Sequence, residues 1–142
     1  MSKPLVLRPR QCIDLASKDV LLADLRRVQA HVVEFRGDGI VDEASFFRQA
    51  ATDLPQPSDR LASDWNALAD NLYEELFGIT AGKIVIVWSS PYDLYNSDLE
   101  LFLLALGVLE EALVDWASRG TTGRRGCVVF VGKGKGFLRR RP

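Results

Sequence analysis

Metal-binding and disulfide-forming residues are scarce in this 142-residue chain. It has two cysteines, Cys12 and Cys127, far apart and outside any CxxC unit, and a single histidine, His31. Two isolated thiols exclude a disulfide framework and read as reduced, as expected of a cytoplasmic protein. One histidine leaves nothing for a zinc module and almost nothing for histidine-based catalysis. Long hydrophobic runs are missing too. The longest, Leu101 to Leu106, falls far short of the roughly 20 residues needed to cross a bilayer. The opening Met1–Arg10 lacks the apolar stretch of a secretory signal. No internal repeat or low-complexity block occurs. What is present is 47% hydrophobic residues, enough to build a core in a chain of one domain's length.

Charge of one sign is scarce in the middle of the chain. Residues 38–118 carry fifteen acidic residues against three basic ones, Arg48, Arg60 and Lys83, although the whole chain has a net charge of only −1. The basic residues collect at the ends, notably Lys133, Lys135, Arg139, Arg140 and Arg141. An acidic body repels phosphates and attracts basic protein surfaces, so nucleic acid is an unexpected partner. The basic residues 133–142 read as a mobile C-terminal tail.

Hydrophobic spacing predicts the elements. Ser17-Lys18-Asp19 opens a helix over Val20 to Gln29 with Leu21, Leu22 and Leu25 on one side. Ala30 to Phe35 is β-branched and ends at Gly37-Asp38-Gly39, which predicts a strand and a turn. His31 within it reads as packed or half-exposed. Asp42 can cap a helix reaching Leu54, where Pro55 and Pro57 stop it. Ser63 is a natural cap for the helix that ends at Gly78, with Asp64 in its first turn favoured by the helix dipole. Trp65, Leu68, Leu72 and Leu76 form the core stripe of that helix, while Asn66, Asp70 and Glu74 point away from it. Lys83 to Trp88 hardly alternates, which predicts a strand covered on both faces. Ser89 to Asn96 reads as a loop, and Ser97 as the cap of a helix over Asp98 to Ser118. Cys127 to Val131 closes the series as a third buried strand. The order implies an α/β fold, a small three-stranded parallel sheet packed against helices. Residues 1–29 form a helical N-terminal extension, 30–132 the domain proper and 133–142 the tail.

Catalytic chemistry is hard to find in this pattern. Gly132-Lys133-Gly134-Lys135-Gly136 follows a strand, but no helix of the kind a phosphate loop needs comes after it. Cys12 with His31 lacks a third member. Asp64 and Asp70, six residues apart, lie well round the helix from one another, which disfavours an acid–base pair. The reading is of a protein that is not an enzyme and needs no cofactor or metal.

Asp64-Trp65-Asn66-Ala67-Leu68-Ala69-Asp70-Asn71-Leu72 resembles the inhibitory helix of the barstar family of intracellular ribonuclease inhibitors, which shows an Asn-Trp-Asp-Ala-Leu-x-Asp pattern after a proline-containing loop. Phe35 to Gly39, Phe46 with Phe47, Ile84 to Trp88, Asp98 to Ser118 and Cys127 to Val131 are similar to the family's remaining elements in order. The resemblance covers residues 30–132 and implies a barstar-like fold. It also implies a mechanism: carboxylates on a rigid helix plug the positive cleft in which a ribonuclease holds phosphates. Such steering of an acidic inhibitor to a basic nuclease is a general electrostatic effect for which this family is itself the standard illustration.

Carried over residue by residue, Asp70 matches the family's key inhibitory aspartate. Asn66 stands where the family has its other helix aspartate, and Asp64 where it has asparagine, so acid and amide are exchanged. Arg60 and Leu61 replace a tyrosine pair in the preceding loop, and Ala69 replaces a contact tryptophan. Asp115 aligns with a peripheral glutamate. Tyr73 and Glu74 are further contact candidates. The resemblance implies a basic ribonuclease or a related toxin as partner, while these departures imply different contacts and favour a rival reading. The rival reading is a protein-interaction module of the same fold that no longer inhibits a nuclease. Two more distant rivals are a small carboxylate hydrolase and an RNA binder acting through the basic tail.

Overall fold

The computed structural model describes residues 11–120 and 123–132. Four strands, β1 (Gln11–Ile13), β2 (His31–Arg36), β3 (Lys83–Ser89) and β4 (Arg125–Val131), form one parallel sheet in the order β1-β4-β3-β2. The helices are α1 (Lys18–Arg27), α2 (Glu43–Asp53), α3 (Trp65–Phe77), α4 (Tyr92–Ser97) and α5 (Leu99–Arg119). The sheet therefore has four strands where the sequence predicts three. The extra one, β1, pairs Gln11–Ile13 with Val129–Val131. A three-residue strand shows no periodicity, and it joins the edge of β4 through backbone bonds that any residue can make.

The N-terminal segment is for the same reason more than a helical arm. It supplies an edge strand, then a short 3-10 turn at Leu15–Ser17, then α1. Leu21 and Leu25 of α1 are buried against Val85, Val87, Val129 and Val131. The opposite face of the sheet carries the larger core. There Ile84, Ile86, Trp88, Val128 and Phe130 meet Phe46, Leu68, Leu72, Phe102, Leu106 and Trp116 from the other helices. Consecutive β3 residues thus enter two different cores, which is why this strand lacks alternation.

Helix starts differ from expectation in two places. Asp64, not Ser63, is the N-cap of α3 and accepts a hydrogen bond from the Ala67 N–H at 2.8 Å. Asp98, not Ser97, caps α5 by accepting from the Leu101 N–H at 3.1 Å. A carboxylate competes well with a hydroxyl for these unpaired amides. The expected loop Ser89 to Asn96 mostly folds as α4, while α1 begins and ends two residues before its predicted limits. Asp42 caps α2 as the sequence suggests, in a reciprocal box with Ser45. The tail 133–142 and most of the Gly132–Gly136 motif lie outside the described residues.

Candidate functional site

The candidate residues gather around α3, the loop before it and the outer side of α5. Pro55 and Pro57 keep the loop out of helix, and polar pegs then fix its path. The Gln56 amide donates to Ala50 O at 3.1 Å, while its oxygen accepts from the Ala62 N–H and from Asn71 Nδ2, each at 2.9 Å. Asn71 Nδ2 also donates to Arg60 O at 2.6 Å. Asn71 is buried, with 5% exposure, in the middle of α3. Its role is missing from the sequence reading, where Asn71 appears only as part of the helix motif. A polar residue directly beside the core position Leu72 is the signal that could have found it, since buried amides need partners.

Trp65 begins the core stripe, as expected, but is only half-buried. Its ring packs on Phe46 and Phe47, with centroids 4.9 and 4.7 Å away, and its indole N–H donates to Glu43 Oε2 at 2.9 Å. The α3 helix is therefore held at its start by its cap and by Trp65, and in its middle by Asn71.

The carboxylates on this face differ in what already occupies them. Asp64 is engaged as the cap. Glu74 takes both its hydrogen bonds from Arg60 Nη2, at 2.8 and 3.1 Å. That bond raises the pKa of the exposed Arg60 guanidinium, with Coulomb attraction to Glu74 adding to it. Asp115 accepts from Arg119 Nε at 2.9 Å. Arg119 then reaches back to α3: it donates to Tyr73 O at 3.2 Å, and its guanidinium lies over the rings of Tyr73 and Phe77 at 4.1 and 5.0 Å. Asp70 is exposed, and its carboxylate makes no hydrogen bond or ion pair with any described residue.

Between α3 and α5 runs an open groove of about 470 Å³. Asn66, Ala69, Asp70 and Tyr73 form one side, and Leu104, Val108, Glu111 and Asp115 belong to the other. The methyl side chains of Ala69 and Ala112 leave the space open. Leu104, Val108 and Glu111 are absent from the sequence reading because they fall off the buried stripe of α5, where nothing local marks them. Asp64, Arg60 and Glu74 do not line this groove; they lie at the start of α3 and along its neighbouring side. Asp70, Tyr73 and Glu74 also border a second shallow depression with the exposed Phe77.

Chemically, this surface offers anionic and aromatic contacts on a rigid support. Among the described residues no group of three His, Cys, Asp or Glu side chains could hold a metal ion. None of the described helices is long and apolar enough to cross a membrane. His31 is exposed at the start of β2, whereas Cys127 is half-buried and its pKa is raised by burial. The family whose sequence model matches the chain is described as Barstar (barnase inhibitor), and the match spans residues 30–127. No curated protein matches the chain.

Proposed function

The chain belongs to the barstar family, and from that premise we propose that it binds a basic ribonuclease or related toxin and inhibits it by occluding the active-site cleft. The observation that carries this reading is Asp70: an exposed carboxylate without an internal partner, on a helix pinned at its cap, its tryptophan and its buried asparagine. A carboxylate fixed in this way loses little freedom when a cationic cleft closes over it, and charge-assisted bonds strengthen as water leaves. Asn66, Ala69 and Tyr73 complete the contact beside it, with Asp64, Arg60, Glu74 and Asp115 at its margins. Inhibition of this kind needs no cofactor and no catalysis by the inhibitor, and it serves a protein working in the cytoplasm beside its target.

One observation favours the rival reading, a binding module of the same fold that has lost nuclease inhibition. Three of the four candidate carboxylates already have partners: Asp64 in the cap, Glu74 with Arg60, and Asp115 with Arg119. Arg60 also adds a positive charge at the edge of the face. Competition with nuclease substrate separates the readings, since only an inhibitor is displaced by RNA.

The test is a pull-down from native cytosol at low and moderate salt, with wild type beside Asp70→Ala, followed by a nuclease assay of the captured material. Wild type is expected to retain a basic nuclease in suppressed form. Loss of the Asp70 contacts should weaken retention by about 1.5–3 kcal/mol, roughly tenfold to a hundredfold. A partner that Asp70→Ala retains equally well, or a capture without basic nuclease, overturns the proposal.

A further inference from the structure

A third concavity, of about 440 Å³, lies where β3 and β4 begin, beside the last two turns of α5. It shares no lining residue with the α3–α5 groove. Its charge is of the opposite sign: Lys83, Arg124 and Arg125 line it, and no carboxylate does. Lys83 and Arg125 are register partners at the first positions of adjacent strands, and neither makes an ion pair with any described residue. Two cations brought together without a counter-ion repel one another, and an anion between them removes that cost.

The C-terminal end of α5 would by itself disfavour an anion here, because its free carbonyls are negative. Arg124 answers that field. It donates to Trp116 O at 3.4 Å and to Ile79 O at 3.3 Å, and its guanidinium lies over the Trp116 ring at 4.6 Å. The α5 side of the wall is mostly apolar, Leu113, Val114 and Ala117 beside Ser118, with Val114 67% exposed. A volume of this size suits a small molecule.

We propose that this cavity binds an amphiphilic anion, a small molecule with one carboxylate or phosphate head held by Lys83 and Arg125 and a short apolar body against Leu113, Val114 and Ala117.

Cys127 also lines the cavity, so its thiol reports occupancy. The experiment titrates the full chain with octyl phosphate, octanoate, inorganic phosphate and octanol, each below its aggregation range. Readouts are calorimetry and the rate at which iodoacetamide alkylates Cys127, with Cys12 as internal control. Saturable binding of octyl phosphate or octanoate is expected, whichever is tighter naming the head group, with several-fold protection of Cys127 and an unchanged rate at Cys12. Lys83→Gln with Arg125→Gln should weaken it at least about tenfold, while the melting temperature verifies folding. The proposal is overturned if neither amphiphile binds, or if binding survives the double variant. It is equally overturned if octanol or inorganic phosphate binds as tightly as the tighter of the two amphiphiles, since the anionic or the apolar half of the site would then be idle.

Discussion

Single side chains on α3 divide the labour between holding the surface and offering it. Asn71 holds. Its amide ties the loop backbone at Arg60 and the Gln56 side chain to the middle of the helix. Asn71→Ala leaves those acceptors short of a donor in a buried setting, and thermal or urea unfolding should show a loss of about 1–3 kcal/mol. Asp64 raises a different question, because a cap and a contact carboxylate predict different things. Asn caps nearly as well as Asp, so Asp64→Asn should unfold within about 0.5 kcal/mol of wild type, whereas Asp64→Ala should lose about 0.5–2 kcal/mol. If Asp64 acts only as a cap, partner binding is unchanged in the asparagine variant. Weaker binding in that variant would make its charge part of the contact. Glycine has a defined role in the turn after β2: a Cβ at Gly37 would collide with the Ser89 carbonyl and the Trp88 indole, so that position tolerates no side chain.

At the scale of elements, the least expected result is the integration of α1 and β1. An appended helix would tolerate truncation of its apolar residues with a loss below about 1 kcal/mol, as surface changes do. Leu25, however, is fully buried against the second face of the sheet. Leu25→Ala should therefore cost about 2–5 kcal/mol in equilibrium unfolding, the range for a core leucine. A cost below 1 kcal/mol would return α1 to the status of an arm. The sequence indicated α1, since Leu21, Leu22 and Leu25 keep helical spacing, but not what it covers. The double-sided burial of β3 demanded a second layer, and only the packing shows that the N-terminal segment supplies it.

For the molecule as a whole, charge governs acid stability. Residues 38–118 carry fifteen acidic residues against three basic ones, whereas Lys83, Arg124 and Arg125 gather at the cavity where β3 and β4 begin. The best-connected ion pair lies between β2 and the end of α2. The Asp53 carboxylate, 7% exposed, accepts from the Arg36 backbone N–H at 2.8 Å, from the Arg36 guanidinium at 2.9 and 3.2 Å, and from Gln49 Nε2 at 2.7 Å. Burial pushes its pKa up, but the bonds from Arg36 and Gln49 together outweigh burial and leave it below the usual carboxylate range. A lowered pKa in the folded state means that the stabilisation is fully present above the unfolded value, about 4, and disappears as pH falls through the folded one. Wild type should thus lose melting temperature steeply below about pH 4. Asp53→Asn should melt lower than wild type at neutral pH and show a shallower decline on acidification. Parallel curves for the two proteins would remove Asp53 from the acid transition.

The sequence by itself determined what depends on near neighbours along the chain. Helical stripes, buried strands and the proline stop after α2 follow from backbone periods and local capping, and they can be read from spacing alone. The helix bearing Asp70 is also legible there, because its apolar and polar faces alternate with the turn of the helix. The tertiary structure decided which of those charges is available. Glu74 is occupied by Arg60, fourteen residues away, and Arg119 joins Asp115 to the backbone of Tyr73, forty-six residues back. Asp115 and Arg119 stand at the local i,i+4 spacing of one helix, whereas the bonds of Arg60 to Glu74 and of Arg119 to Tyr73 depend on how loops and helix ends meet in space, which no local pattern encodes. The fourth strand and the gathering of Lys83 with Arg125 have the same origin, since adjacency in a parallel sheet joins residues that the sequence keeps far apart.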